Sequence, residues 1–257
     1  MRTLWRVFAL VALPAVLLAV WWFASADSKD FFLPPLSRIL NSFDTVWTAQ
    51  RWRADVLPSV LRLLAGYVAA AILGIAAGTV IGTSRKVRAT TEPVLEFLRA
   101  LPPPVLVPVI MLFAGIGTGM KIAVIISGCV WPVLLNTVEG VRAVDGVLTD
   151  TCTVYRVTGA RRLFRLTLPA ASPQIVTGLR QALSLGIILM VISEMFAASS
   201  GLGFTIVQFQ RSFAIPGMWS GIILLGLLGV AMSVLFALFE RWALAWYLGM
   251  RRTGGRE

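Results

Sequence analysis

Six apolar stretches constrain this chain more than anything else in it: residues 7–23, 59–83, 93–115, 121–139, 173–197 and a stretch within 217–247. Crossing the hydrocarbon of a bilayer takes about 20 apolar residues, and most of these stretches are that long. Of the 257 residues, 58% are hydrophobic and 14% are charged. A soluble domain is about half apolar and a quarter charged. One core has no room for such an excess, so lipid must solvate it. The expected fold is all-α, a polytopic membrane protein of about six transmembrane helices.

The stretches divide the chain. Residues 1–25 hold the first span, preceded by Arg2 and Arg6. Ala24-Ser25-Ala26 resembles a signal-peptidase site, but the apolar run exceeds a usual signal core, and an uncleaved span is expected. Residues 26–58 form an external loop with an interfacial helix around 36–49. Residues 59–247 hold the other spans, with a cytoplasmic loop at 140–172, and residues 248–257 form a basic tail. In the second span Gly66, Ala70, Gly74, Gly78 and Gly82 recur every fourth residue, and Gly178, Ala182 and Gly186 repeat the pattern in the fifth. Such small-residue ridges let helices approach closely in lipid. The third span is broken early by Pro102-Pro103-Pro104 and again by Pro108, since proline lacks the donor a helix needs.

The net charge of +11 raises the question of nucleic acid. The basic residues lie in short clusters between apolar runs, not on one domain, so no nucleic-acid partner is expected. With both ends inside, sixteen Lys and Arg fall on the cytoplasmic side and seven outside, namely Lys29, Arg38, Arg51, Arg53, Arg62, Lys121 and Arg211. That asymmetry fits the positive-inside bias.

The longest polar interruption of the second half is residues 150–169, with Arg156, Arg161, Arg162 and Arg165. Its start suits a short amphipathic helix. Leu148, Cys152 and Tyr155 fall on one stripe, and Thr149, Asp150, Thr153 and Arg156 on the other face. Such a helix needs lipid or a protein partner for its apolar stripe. The stretch resembles the cytoplasmic signature loop of binding-protein-dependent ABC importer permeases, E-A-A-x-x-x-G-x9-I-x-L-P. Asp150 stands at the Glu, Thr151 and Cys152 at the two Ala, Leu166 at the Ile, and Leu168-Pro169 at the terminal pair. Arg156 stands where Gly is usual, and Gly159 lies three residues on. Leu98 to Pro103, Trp131 to Thr137, Gly178-Leu179-Arg180 and Ser193-Glu194-Met195 through Gly203 resemble the nitrate, sulfonate and taurine branch. The resemblance implies an importer subunit in the bacterial inner membrane that forms the pathway for a small solute such as a sulfonate, taurine or nitrate. It also implies cytosolic ATPase subunits that use the ATP, an external solute-binding protein, and a second permease subunit, taken as an identical copy. Asp150 is expected near the first turn of the coupling helix, where the helix dipole favours an anion.

Within the spans Glu194 is the sharpest residue, beside Ser193. A carboxylate in hydrocarbon is costly, so it must face protein or water. Two readings stay open: a pathway or gating residue, and a structural hydrogen bond to a neighbouring helix. The chain has no histidine, and Cys129 and Cys152 make no metal spacing. No G-x-x-x-x-G-K-[ST] occurs, so ATP hydrolysis of that type must come from a separate subunit, and no cofactor or metal is expected here. The alternative class is a secondary transporter or channel driven by an ion gradient.

Overall fold

The computed structural model describes residues 2–196, 198–247 and 249, with side chains from residue 12 onward. The tail arginines 251, 252 and 256 lie outside the described residues, as do the side chains of Arg2 and Arg6. Ten helices follow in order among the described residues: α1 (Arg2–Ser25), α2 (Leu36–Val46), α3 (Ala49–Thr83), α4 (Arg85–Arg99), α5 (Leu106–Ala114), α6 (Thr118–Arg142), α7 (Gly146–Val154), α8 (Gly159–Met195), α9 (Leu202–Arg211) and α10 (Ile215–Ala243). No strand occurs among these residues. Four helices are long and apolar enough to cross a membrane: α3, α6, α8 and α10. A bent pair, α4 with the segment Pro103–Ala114, makes a fifth candidate. The described part of α1, Ala12–Ser25, is apolar and largely exposed.

The centre is a three-helix seam. Helix α6 lies between α3 and α8 and packs along both. The small-residue ridge of α3 makes this possible. A Cβ on Gly66 would lie 2.7 Å from Ile125 Cβ, and one on Gly78 would lie 2.7 Å from the Leu134 carbonyl. From the other side, a Cβ on Gly178 would lie 2.6 Å from the Pro132 carbonyl. Gly74 and Gly82 meet Val133 and Val141 in the same way, and Gly186 meets Leu63 and Cys129. Ala70 and Ala182 are fully buried between them. Dispersion across such close backbones holds helices together where lipid removes the hydrophobic drive. The core around this seam is Leu63, Val124, Ile125, Cys129, Val133, Leu189 and Met190.

The third apolar stretch departs from the expected single span over 93–115. Arg85–Arg99 is one amphipathic helix with no buried residue, and after Pro102 the chain resumes at 74° to it. Three consecutive prolines remove donors and push each preceding residue out of the helical region. Helix α5 has nine residues, about 14 Å of rise, against about 30 Å of hydrocarbon. The external loop 26–58 is also shorter than expected, because α3 begins at Ala49. Helix α2 stands within that loop, with Leu36 and Ile39 buried.

Both long outer helices of the seam carry a single π turn, Trp52–Val56 in α3 and Leu163–Thr167 in α8. The Leu57 N–H bonds back to the Trp52 carbonyl and the Leu168 N–H to that of Leu163. Each is followed at once by a proline, Pro58 or Pro169, which has no N–H to continue the ordinary ladder. The Leu168-Pro169 pair therefore marks a register shift inside a helix. The expected loop 140–172 shrinks accordingly, since α6 runs to Arg142 and α8 starts at Gly159.

Candidate functional site

Helix α7 connects α6 to α8 and is nine residues long, too short to persist on its own. Its two ends are fastened. Asp145 is the N-cap, and its Oδ1 accepts from the Val147 N–H at 2.8 Å. Asp150 stands mid-helix and exposed, with no acid in the first turn, so the expected dipole role belongs to Asp145. At the other end the Val157 N–H donates to the Cys152 carbonyl at 2.8 Å across Arg156, whose φ is +53°. That is a Schellman-type stop with arginine in the left-handed position that glycine normally fills. The turn is preserved although the glycine is not.

The exposed face of α7 differs from the expected stripe by a small rotation. Val147, Val154 and Tyr155 are 70%, 79% and 76% exposed, and Leu148 is 46% exposed. Cys152 turns toward the protein and is half-buried, as is Thr149, while Thr151 and Arg156 are exposed. Gly159, with φ +56°, opens α8, Leu166 and Leu168 are half-buried, and Pro169 is exposed. Phe164, 67% exposed, adds to the apolar surface of this connection.

Arginine in the left-handed region is strained by about 1–2 kcal/mol. Arg156→Gly is therefore expected to stabilise the end of α7 by about 1 kcal/mol at most, since glycine also loses more freedom on folding. Amide exchange at Val157 should slow by up to about fivefold. Unchanged or faster exchange would show that the turn carries no strain.

At the opposite end of the seam Glu194 is 1% exposed and fully engaged. Its carboxylate accepts from Arg62 Nη1 at 2.9 Å and from the Gly203 N–H at 3.1 Å, and Ser59 Oγ lies 2.7 and 2.8 Å from its two oxygens. Arg62 also donates to the Ser200 carbonyl at 3.2 Å and to Ser200 Oγ at 3.0 Å. Asp55 accepts from the Gly201 N–H at 3.1 Å, and Ser59 Oγ from the Leu202 N–H at 2.9 Å. The connection from α8 to α9 is thus strapped to α3 and α8 by one polar cluster. Gly201 has φ +121°, and a Cβ there would fall 2.5 Å from each Glu194 oxygen. Only glycine admits the backbone to that carboxylate.

The Glu194 carboxylate thus makes a buried ion pair and hydrogen bonds to the neighbouring helix α3. Ser193 is buried beside Glu194, and its hydroxyl donates to the Met190 carbonyl at 2.9 Å. Arg62 and Lys121, counted among the seven outside charges, lie buried within α3 and α6. Sequence reasoning missed Asp55, Ser59 and Arg62, although their spacing of four and three puts three polar groups on one face of an apolar helix. Arg180, in the middle part of α8, pairs with Glu240 of α10.

The family model described as binding-protein-dependent transport system inner membrane component matches residues 70–244. The taurine transport system permease protein TauC of Escherichia coli is 29% identical over 240 residues, covering 91% of this chain and 87% of that protein. The bicarbonate transport system permease protein CmpB of Synechococcus elongatus is 31% identical over 191 residues, covering 74% and 69%. The nitrate import permease protein NrtB of Synechocystis is 29% identical over 234 residues, covering 88% and 85%. Among solved structures, an inward-facing MetNI methionine ABC transporter superposes with a TM-score of 0.61 at 16% identity, covering 76% of this chain and 99% of the other.

Proposed function

Because this chain belongs to the binding-protein-dependent transport system inner membrane components, we propose that it forms half of a translocation pathway for a small solute and couples that pathway to an ATPase through α7. It is a multi-pass membrane protein and a permease subunit of an ABC importer. Such importers combine permeases with ATPase and binding-protein partners. Here the pathway is completed by a second copy of this chain, two ATPase subunits supply ATP hydrolysis, and both termini are cytoplasmic. The relatives transport taurine, bicarbonate and nitrate by name, and a small solute such as a sulfonate, taurine, nitrate or a related small organic compound is the proposed cargo. An ion-gradient-driven transporter or channel has no comparable support.

The observation that carries the coupling role is the outward apolar face of α7, with Val147, Val154 and Tyr155 all more than two-thirds exposed. A helix fastened at both ends and greasy on its free side is built to be covered. ATP-driven closure of the ATPase pair would move the two α7 helices together and tilt the spans, alternating access by rigid-body motion. The orientation has support from charge. With Arg62 and Lys121 buried, the outer segments retain only Lys29, Arg38, Arg51, Arg53 and Arg211 of the seven assigned there.

Single cysteines placed in a background lacking Cys129 and Cys152 test this arrangement. Lys86→Cys should be labelled by an impermeant maleimide only after the membrane is opened, and Ser199→Cys in intact cells. Affinity purification of the same chain should recover its ATPase in equal amount. Labelling of Lys86→Cys from outside, or purification of an active transporter without an ATPase, would overturn the reading.

A further inference from the structure

At the end of the seam nearest α7 the structure holds a cavity of about 520 Å³, within the 300–1,000 Å³ range of small-molecule sites. Four arginines from separate segments line it: Arg85 and Arg88 of α4, Arg142 at the end of α6, and Arg162 at the start of α8. Thr83 and Thr149 line it as well. Arg142 pairs with Glu139 at 2.7 Å, and Glu92 and Glu96 stand on the far side of Arg88 and Arg142, where they line a separate small cavity. Among the described residues no acid lines the large cavity, and Arg85 and Arg162 form no ion pair.

A positive-inside bias explains arginines scattered at span ends, but it does not bring four of them to one hollow. Arg88 and Arg162 are half-buried and Arg85 and Arg142 exposed, and gathering like charges around one hollow carries a repulsion that an anion would offset. The first turn of α4 adds to the cost, since it places Arg85 and Arg88 at the positive end of a helix dipole with no acid in that turn, Glu92 following one turn after Arg88. The C-terminal carbonyls of α3 and α6 lessen it, but partial charges do not match four guanidinium groups. The guanidinium fork suits a phosphate oxygen pair. The cavity lies where α3 and α6 end, the depth of phospholipid headgroups, and Val144 and Leu163 put apolar surface beside the charges.

We infer that this arginine cavity is a phosphate-binding site, suited to the headgroup of an anionic phospholipid or to free phosphate. Basic pockets between spans on the cytoplasmic side bind such headgroups. The inference rests on the inward orientation proposed above for this end. Its readout is lipid retention, which does not require transport, so either can fail without the other.

The test is native mass spectrometry of the purified importer complex in detergent, with phosphatidylglycerol, phosphatidylethanolamine or inorganic phosphate added. Wild type should retain phosphatidylglycerol over phosphatidylethanolamine. The Arg85→Gln, Arg162→Gln pair should weaken that retention about thirtyfold, about fivefold for each arginine, with the ATPase still bound. The Arg85→Lys, Arg162→Lys pair should stay close to wild type, separating charge from folding. Displacement of the lipid by inorganic phosphate would assign the site to the free ion, and its persistence would assign it to the headgroup. Equal phosphatidylglycerol retention by wild type and the Gln pair would overturn the site. Loss of the ATPase from the Gln pair with lipid retention unchanged would overturn it too, by placing an acidic partner surface on these arginines.

Discussion

Glu194→Ala is expected to cost the protein about 3–5 kcal/mol of stability, the size of the penalty for leaving one member of a buried ion pair alone. The Arg62 side chain is 8% exposed and that of Glu194 fully buried, so neither gains water when the other is removed. The loss would also strand the Gly203 N–H, while the Ser59 hydroxyl can turn to the Asp55 carbonyl at 2.9 Å and the Gly201 and Leu202 N–H groups keep their bonds to α3. Replacing both partners by apolar groups, Arg62→Met with Glu194→Leu, should recover much of the loss, because no bare charge remains. Thermal unfolding in detergent compares the variants. If transport fails in Glu194→Ala at unchanged stability, the carboxylate serves the pathway and not the fold.

Tyr155→Asp should abolish transport and release the ATPase, while the permease inserts and folds normally. Tyr155 is 76% exposed and Val154 beside it 79% exposed, so neither contributes much to the free chain. Each large apolar side chain buried on docking contributes about 1.5–3 kcal/mol, and an ionised carboxylate in that interface reverses the sign. Tyr155→Phe should behave as wild type. Asp150→Lys should weaken retention less, since Asp150 lies mid-helix. Arg162→Ala should leave it intact, because Arg162 faces the arginine cavity. The measurement is ATPase pull-down in detergent for each variant. Full retention by Tyr155→Asp would remove α7 as the docking element.

Much of this was legible in the sequence because lipid simplifies the problem. Apolar length gave α6 and α10 nearly to their ends and the C-terminal ends of α3 and α8, but began α3 and α8 ten and fourteen residues too late. The four-residue spacing of small residues gave the packing faces of α3 and α8. Periodicity said which side of α3 packs but not against what. The bent third stretch was less legible, since prolines announce a break without fixing its angle. In α7 the stripe was displaced because Asp145, not Asp150, sets the helix start, and a cap lies outside the apolar pattern. The polar cluster was half legible. Glu194 stood out as the acid in its span, but Arg62, inside the expected span 59–83, was counted only as an outside charge and never considered as its partner. Both charges lie near the same end of antiparallel helices, and pairing them needs that depth comparison.

The length of α8 has a mechanical consequence. It runs unbroken for 37 residues, about 55 Å of rise, from Gly159 beside α7 to Met195 next to the Arg62–Glu194 pair. It behaves as a pushrod with a contact at either end. The glycine seam clamps α3 and α6 to it. The register shift before Pro169 and the missing donor at Pro173 interrupt its ladder close to the driven end, and beyond them the helix runs on to Met195. Displacement of a few ångströms at the driven end would arrive at the far end as tilt, moving the glycine turn that Glu194 and Arg62 hold without any helix having to melt.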